Sequence, residues 1–297
     1  MIADRIRDYL DNSRRAQPDE TVLQWATRRF TDGLRRRMGP DRDMTGRLYA
    51  TLVTQRCARR AAYKYHGVAP DAPLPARAVL NYYVGDIAEL AVLALAKAAG
   101  CDLAAPDELL LDTERMRVSR NGLSFGCWPD AVLHVGGAWY NVEVKKMAEA
   151  SYDQAKRDGG PDDTWGYRTQ ASLEVAAWRE AGIDVRATVL VALRGLTGEL
   201  GEWVLPYDDA LVEQAFARAA QVRDSTPDLL PDRAHRPTTC PDGRQRLPVQ
   251  CAYCSYTRRC WPTARRIVER GRPAWYVDTA GSAGHVGDDE SAGGDDW

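Results

Sequence analysis

The sequence lacks a long uninterrupted apolar run, which a membrane-spanning helix requires. Its most apolar stretch, IAELAVLALAKAAG, is interrupted by Glu89 and Lys97, which is typical of a core helix. The first residues, MIADRIRDYL, contain no apolar h-region, so we expect no secretory signal and no membrane contact. We therefore expect a cytoplasmic protein, in which cysteines stay reduced or bind metal and do not form disulfides.

Lysine is scarce, and neither sign of charge is in large excess. The 297 residues include 40 Lys and Arg against 42 Asp and Glu, and only five of the basic residues are lysines. Residues 278–297 hold six acids and no basic residue, so we expect a disordered acidic tail over 276–297. Residues 1–60 hold fourteen arginines, which suit a phosphate backbone, although a GC-rich genome explains the arginine content equally well.

The sequence has no internal repeat, and its hydrophobic pattern changes along the chain. The central part predicts a helix, three strands, a Gly/Asp-rich loop, a helix, two strands and a helix, which indicates an α/β sandwich. A single helix is predicted for RLYATLVTQRCARRAAYKY, and a single strand for LSFGCWPDAVLHV. We expect an arginine-rich helical extension over 1–45, a core over 46–223 and a loop-rich cysteine segment over 224–275.

The stretch WPDAVLHVGGAWYNVEVKK predicts a tight hairpin. A two-residue turn at Gly136-Gly137 would place Val135 opposite Ala138 and, further along, Asp130 opposite Glu143. Asp130, Glu143 and Lys145 would then share one side of the hairpin, and the apolar side chains would fill the other side, facing the core. Directly opposed carboxylates destabilise a sheet, so we expect a compensating cation. Lys145 supplies one positive charge, and a bound divalent metal would supply more.

A third carboxylate lies in the preceding apolar helix, at Glu89. An unpaired acid there would be costly, so we expect a metal or a basic partner, with a helix-surface position beside Asp86 as the alternative. Mg²⁺ and Mn²⁺ prefer carboxylate oxygens, so we expect the ion to be held by Asp130, Glu143 and Glu89.

Two further side chains are candidates for the chemistry that such an ion supports. In phosphodiester hydrolysis, Lys145 would orient or deprotonate the attacking water, or stabilise the phosphate under attack. Gln170, in the following helix, would position Lys145 or the phosphate, although a surface amide is nearly as good an interpretation.

Seven cysteines are present, and three of them form the spacing Cys251-x2-Cys254-x5-Cys260. In a reduced compartment this spacing is a strong metal signal, but it leaves the fourth ligand open. Cys240 would complete a local zinc ribbon. Cys57 would instead join the amino-terminal part of the chain to the carboxyl-terminal segment through an iron–sulfur cluster. Cys101 and Cys127 are most simply buried thiols.

These motifs occur in an order that resembles the RecB-like PD-(D/E)XK exonucleases with an iron–sulfur cluster, including the CRISPR-associated exonucleases and their phage-encoded relatives. The matching motifs are QRCARRAAYKY, Gly85-x-x-x-Glu89, Pro129-Asp130, Glu143-Val144-Lys145, Gln170 and the terminal C-x2-C-x5-C-x-P, within residues 50–265. The family's Gln-x-x-x-Tyr motif reads Gln170-Ala-Ser-Leu-Glu174 here and lacks the tyrosine, for which Tyr167 is a substitute candidate.

The resemblance implies a restriction-endonuclease-like core and metal-dependent DNA exonuclease activity, mostly on single strands, with flap or endonuclease cleavage left open. It also implies a [4Fe–4S] cluster whose ligands are Cys57, Cys251, Cys254 and Cys260. Aromatic and arginine side chains near this cluster would stack on bases and contact phosphates, or would pack over the cluster: Trp261, Tyr253, Tyr256, Arg258 and Arg259.

Two other functions compete with this reading. The first is a non-catalytic DNA-binding subunit of a recombination or CRISPR adaptation complex, and the second is a zinc-ribbon nucleic-acid binder using Cys240. The oligomeric state stays open.

Overall fold

A five-stranded mixed sheet flanked by helices forms the centre of the computed structural model. The structure describes residues 1–12, 19–38, 44–54, 57–72, 76–109, 116–195, 197–269 and 272–277. The first seven strands are β1 (Leu103–Ala104), β2 (Arg117–Arg120), β3 (Leu123–Gly126), β4 (Ala131–Val135), β5 (Ala138–Met147), β6 (Val185–Arg194) and β7 (Leu200–Pro206). The central sheet has the order β1-β4-β5-β6-β7, in which only β5 and β6 run parallel, whereas β2 and β3 form a separate hairpin.

Helices cover both faces of the central sheet. Among the described residues before the cysteine segment, the helices are α1 (Ile2–Asn12), α2 (Glu20–Met38), α3 (Ala50–Val53), α4 (Ala58–Tyr65), α5 (Ala76–Ala98), α6 (Pro106–Leu109), α7 (Glu149–Asp158), α8 (Tyr167–Glu180) and α9 (Asp209–Arg223). Helices α1, α2 and α5 pack on one face through a cluster that includes Val142 and Val144. Helices α8 and α9 pack on the other side through a cluster that includes Val132 and Trp178. The central α/β architecture predicted from the sequence is therefore confirmed.

The predicted β4–β5 hairpin forms with the expected register. Val135 pairs with Ala138, Leu133 with Tyr140, and Ala131 with Val142. Gly136 and Gly137 both have positive φ, at 59° and 75°, as the primed two-residue turn requires. The description of one core face and one polar face is wrong, however, because Glu143 and Asn141 are as deeply buried as Val142 and Val144. The sheet is buried on both faces, so its polar side chains lie inside the protein.

Three local predictions are wrong. The stretch LSFGCWPDAVLHV is not one strand: β3 belongs to the small hairpin, and the chain breaks before β4 enters the central sheet. The segment before α8 contains an additional helix, α7. The helix predicted around Cys57 is two shorter helices, α3 and α4, and Cys57 is the residue that precedes the first turn of α4.

The cysteine segment contains more regular structure than a loop-rich region would. Its elements are β8 (Thr238–Thr239), β9 (Gln245–Arg246), α10 (Val249–Ala252), α11 (Thr257–Cys260), β10 (Ala264–Glu269) and β11 (Arg272–Val277). The four strands form a second sheet in the order β10-β11-β9-β8. The acidic tail predicted over 276–297 lies, from residue 278 onward, outside the described residues.

Helix α5 is longer than the apolar run identified in the sequence. Its 23 residues are long and apolar enough to cross a membrane by length and composition, so the prediction that no such segment exists is wrong. Core helices of soluble proteins pass the same test. Helix α5 packs against α2 and β5 and buries Ala88, Val92, Leu93 and Ala96. The cytoplasmic location stays a prediction.

Candidate metal centre and cysteine cavity

Asp130 lies beside Glu143 because of the hairpin register. It directly precedes β4, and its Oδ2 accepts a hydrogen bond from the backbone N–H of Val144 at 2.8 Å. The Asp130 side chain therefore lies against the backbone of β5 next to Glu143, at the end of the β4–β5 pair.

One carboxylate oxygen of Glu143 accepts hydrogen bonds, and the other accepts none among the described residues. Its side chain is 1% exposed, and its Oε1 accepts hydrogen bonds from Lys145 Nζ and, at 2.8 Å, from Gln170 Nε2. Its Oε2 is buried and has no hydrogen-bond donor among the described residues. Leaving a buried acceptor unpaired costs about 1–3 kcal/mol, more when it is charged. A divalent cation is the kind of ligand that such an oxygen fits.

The carboxylates of Glu89 and Asp130 repel each other, and both are partly buried. Burial and the charge of Asp130 raise the pKa of Glu89 to about 8, and the positive charges of Lys145 and Arg29 oppose this shift. Burial also raises the pKa of Asp130, again opposed by Lys145. Because acids from α5 and from the start of β4 lie close together in a buried region, their charged forms are disfavoured, and a bound divalent cation would favour them again.

Gln170 is held by a second buried acid that sequence reasoning did not assign. Its Nε2 donates to Glu174 Oε1 at 2.8 Å as well as to Glu143, and Glu174 Oε2 accepts from Asn141 Nδ2 at 2.9 Å. Asn141 in turn accepts from Trp178 Nε1 at 2.9 Å. Burial, with the charge of Asp130, raises the pKa of Glu174 to about 7. The spacing of Gln170 and Glu174, one helical turn apart on α8, was the available signal, but Glu174 was interpreted only as a missing tyrosine.

The carboxylates fit a divalent metal by their chemistry without forming a closed cage. Among the described residues, no three His, Cys, Asp or Glu side chains are arranged closely enough to be a ready-made metal-binding group. The fit rests on the unpaired Oε2 of Glu143 and on the hard oxygen donors that Asp130 and Glu89 offer in the same region. Lys145 and Gln170 both contact Glu143, and the charges of Asp130 and Lys145 act on Glu89, so the five predicted residues lie in one region.

A second region, the cysteine cavity, is lined by four of the seven cysteines. These are Cys57, Cys251, Cys254 and Cys260, together with Arg60 and Tyr63. Burial, and then the proximity of Cys254, Cys57 and Cys260, raises the pKa of Cys251 to about 12. Cys240 does not line this cavity; its backbone pairs with Arg244 and Gly243 in the turn between β8 and β9. Cys57, and not Cys240, is therefore the fourth thiol beside the other three.

Side chains from distant parts of the chain hold this cavity together. Asp71 Oδ2 accepts from the backbone N–H groups of Arg258 at 2.7 Å and Arg259 at 3.3 Å, and so fixes the start of α11. Thr257 Oγ1 donates to the carbonyl of Cys251 at 2.6 Å and lies 2.9 Å from that of Cys254. Arg60 Nε is buried without an acceptor in the described part of the chain. An unpaired cationic donor beside thiols fits an anionic thiolate cluster.

The aromatic side chains near the cavity divide into packed and exposed ones. Tyr256 is buried and stacks on Tyr63 with ring centroids 5.0 Å apart. The guanidinium carbon of Arg233 lies over Trp261, 4.2 Å from the centroid of the indole ring. Tyr253 is 55% exposed and is the better candidate for stacking on a base. Cys101 and Cys127 are buried free thiols, as expected.

Comparisons with known proteins add little. No family model matches the chain, and no curated protein matches it. One solved structure, described as the crystal structure of SSO0001, aligns with 80% of this chain and 94% of its own chain, at 15% identity and a TM-score of 0.43. Similarity at this level carries no argument about activity.

Proposed function

We propose that this chain is a divalent-metal-dependent DNA exonuclease that prefers single strands. In this proposal the central sheet is a restriction-endonuclease-like core, and the cysteine segment holds a structural [4Fe–4S] cluster. The observation that carries the proposal is the environment of Glu143, whose buried Oε2 has no donor among the described residues while Lys145 and Gln170 contact its Oε1. A protein that only binds DNA has no physical need for a buried carboxylate facing other carboxylates.

Each residue has a defined part in the proposed hydrolysis. A bound Mg²⁺ or Mn²⁺ would make water acidic and neutralise negative charge on the phosphate, and Glu143, Asp130 and Glu89 would hold it. The ammonium group of Lys145, next to Glu143, orients the attacking water or stabilises the phosphate. Gln170 holds the carboxylate of Glu143 in place from α8.

The four thiols of the cysteine cavity support the second half of the proposal. Cys57 comes from the segment before α4, and the other three come from the carboxyl-terminal segment. Thiolates are the usual ligands of iron–sulfur clusters, and four are needed for a [4Fe–4S] cluster. The position of Cys240 away from this cavity argues against a zinc ribbon that uses it.

The proposal is tested by incubating labelled single-stranded DNA with purified protein and Mn²⁺ or Mg²⁺. We expect the wild type to release short products, and Asp130→Asn and Lys145→Ala to bind the DNA without releasing them. Glu213, a half-exposed acid on α9 that pairs with Arg120, provides the matched control, Glu213→Gln, which should retain full activity. If the wild type binds DNA but releases nothing with either metal, the non-catalytic DNA-binding function replaces this one.

We also propose a cytoplasmic role in recombination, repair, phage DNA metabolism or CRISPR spacer processing, with protein partners from such complexes. The motif order supports this wider proposal. The same DNA-release assay on strands labelled at the 5′ or the 3′ end would give the polarity of cleavage and so reduce the number of pathways that fit.

A further inference from the structure

We infer that Arg29, in the amino-terminal helical extension, is a DNA phosphate-binding residue of the candidate metal centre. This inference rests on the proposed nuclease function. It assigns a part in the site to a segment that lies outside the motifs found in the sequence.

Helix α2 is anchored beside the metal centre through Trp25. This side chain is buried in the cluster that joins α1 and α5 to the central sheet. Its ring faces the ammonium of Lys97 at 4.8 Å and the guanidinium of Arg29 at 5.2 Å. Residues four apart on a helix share a face, so the packing of Trp25 directs Arg29 toward the core as well.

The guanidinium of Arg29 reaches the start of β4. Its Nη2 donates to the carbonyl of Asp130 at 3.3 Å, and its Nη1 donates to Asp107 Oδ1 at 3.2 Å. Its positive charge acts on the carboxyls of both Glu89 and Asp130. The Arg29 side chain is 19% exposed, so the guanidinium lies at the edge of the site and can meet a ligand from solvent.

A DNA phosphate bound near Glu89 and Asp130 would need a positively charged partner, which Arg29 can supply. Two cations, Lys145 and Arg29, act on the carboxyls of Glu89 and Asp130, and Lys145 already contacts Glu143. A DNA phosphate that approaches these carboxyl groups is better accommodated where a positive group contacts its oxygens. A guanidinium has five N–H groups, of which the two bonds above use two, and its geometry suits phosphate oxygens. One of its present partners is a neutral carbonyl, and the other, Asp107, is half-exposed.

A purely structural role for Arg29 predicts a different outcome, which one additional variant separates. If Arg29 only fastened α2 to the core through Asp107, then Asp107→Asn would weaken DNA binding and stability as much as Arg29→Ala does. If Arg29 binds phosphate, Asp107→Asn removes a competing carboxylate, and DNA affinity stays the same or increases.

The test measures the salt dependence of single-stranded DNA binding, in EDTA so that no cleavage occurs. Affinity for DNA falls as salt rises, and we expect Arg29→Ala and Arg29→Gln to make the slope of log affinity against log salt shallower by about one. Arg29→Lys should restore most of the wild-type slope. Arg28→Ala, an exposed arginine on the same helix, is the matched control and should leave the slope unchanged. In the presence of Mn²⁺, Arg29→Ala should slow cleavage at saturating DNA by on the order of 100-fold.

The possible outcomes distinguish the inference from the function on which it rests. A changed slope with no DNA release by the wild type rejects the nuclease and leaves phosphate binding by Arg29 intact. DNA release by the wild type, with an unchanged slope in both Arg29→Ala and Arg29→Gln, rejects the inference alone. Equal losses of affinity in Asp107→Asn and Arg29→Ala also reject it.

Discussion

Glu174 departs from the nuclease motif that the sequence resembles, and it has a clear structural part. It occupies the position of the tyrosine in the Gln-x-x-x-Tyr motif and accepts hydrogen bonds from Gln170 and Asn141. Its side chain is fully buried on α8. The acid therefore fixes the Gln170 amide against Glu143 by a route that does not need a tyrosine.

This role predicts unequal effects of two substitutions. Glu174→Leu removes one acceptor each from the amide groups of Gln170 and Asn141, which keep Glu143 and Thr188 as acceptors, so we expect a loss of about 1–3 kcal/mol in the free energy of unfolding. Glu174→Gln keeps one acceptor oxygen for Gln170 and should cost less. DNA release by Glu174→Leu should fall by about 10-fold or more, because groups that hold a metal ligand affect activity to that extent. Urea unfolding and the DNA-release assay measure both effects; equal behaviour of the two variants would contradict the role.

The raised pKa values predict how the metal-free protein responds to pH. Glu89 and Glu174 have pKa values of about 8 and about 7 in the folded chain, against an ordinary value of 4.5. The folded chain therefore binds more protons than the unfolded chain in this window, and the free energy of unfolding falls as pH rises from about 4.5 to about 8. Urea unfolding in EDTA at several pH values measures this slope. Glu89→Gln should reduce the slope and Glu213→Gln should not; stability that rises across the window would refute the prediction.

The sequence predicted the site residues that depend on local geometry. Asp130, Glu143 and Lys145 belong to one hairpin, so their proximity follows from the turn and from strand alternation. Arg29 approaches Asp130 from 101 residues away, through the packing of α2 on α5, and nothing in its spacing indicates this. Long-range contacts of this kind require the fold.

At the scale of elements, the β4–β5 hairpin determines whether the carboxylates meet. Its two glycines adopt positive φ, and a Cβ atom added at either one would meet no atom within 4 Å. Their importance is therefore conformational and not steric.

We expect Gly137→Ala and Gly136→Ala each to lower the free energy of unfolding by about 1–2 kcal/mol, because residues with a Cβ are disfavoured in this conformation. The matched control is Gly33→Ala in α2, which also meets no atom within 4 Å and lies inside a helix. That substitution should instead stabilise by about 0.5–1 kcal/mol. Urea unfolding of the three variants measures the difference; a similar effect at all three positions would contradict the account.

The wrong predictions at the element scale have physical reasons. The stretch from Leu123 to Val135 is mostly apolar, which favours one strand, but Tyr49 bridges to Gly126 and the chain then leaves the small hairpin for the central sheet. Helix α7 was missed because neighbouring glycines and acids indicated a loop; it ends at Gly159, whose φ is 74°. In both cases tertiary contacts outweighed the local pattern.

At the scale of the whole molecule, the cysteine cavity joins segments nearly 200 residues apart. Cys57 precedes the first turn of α4, and Cys251, Cys254 and Cys260 lie in or beside the short helices α10 and α11. The spacing could not choose between Cys57 and Cys240, because that choice depends on where α4 packs.

We therefore expect anaerobically purified wild-type protein to be brown, with about four irons per chain. Cys57→Ser should lose the colour and the iron, because it removes one of four ligands, whereas Cys240→Ser should retain both. Without the cluster, limited proteolysis should cut residues 224–277 before it cuts the central sheet. Visible absorption and metal analysis decide the first point; a colourless protein containing one zinc that survives Cys57→Ser would contradict the cluster.

The most direct test of the central claim is calorimetric titration of Mn²⁺ into wild-type protein and Glu143→Gln in the absence of DNA. The unpaired Oε2 of Glu143 is the reason to place a divalent cation at this end of the sheet. We predict that the wild type binds Mn²⁺, that Glu143→Gln loses this binding while remaining folded, and that Glu213→Gln retains it. Equal Mn²⁺ binding by the wild type and Glu143→Gln, or none by the wild type, would contradict the proposed metal centre.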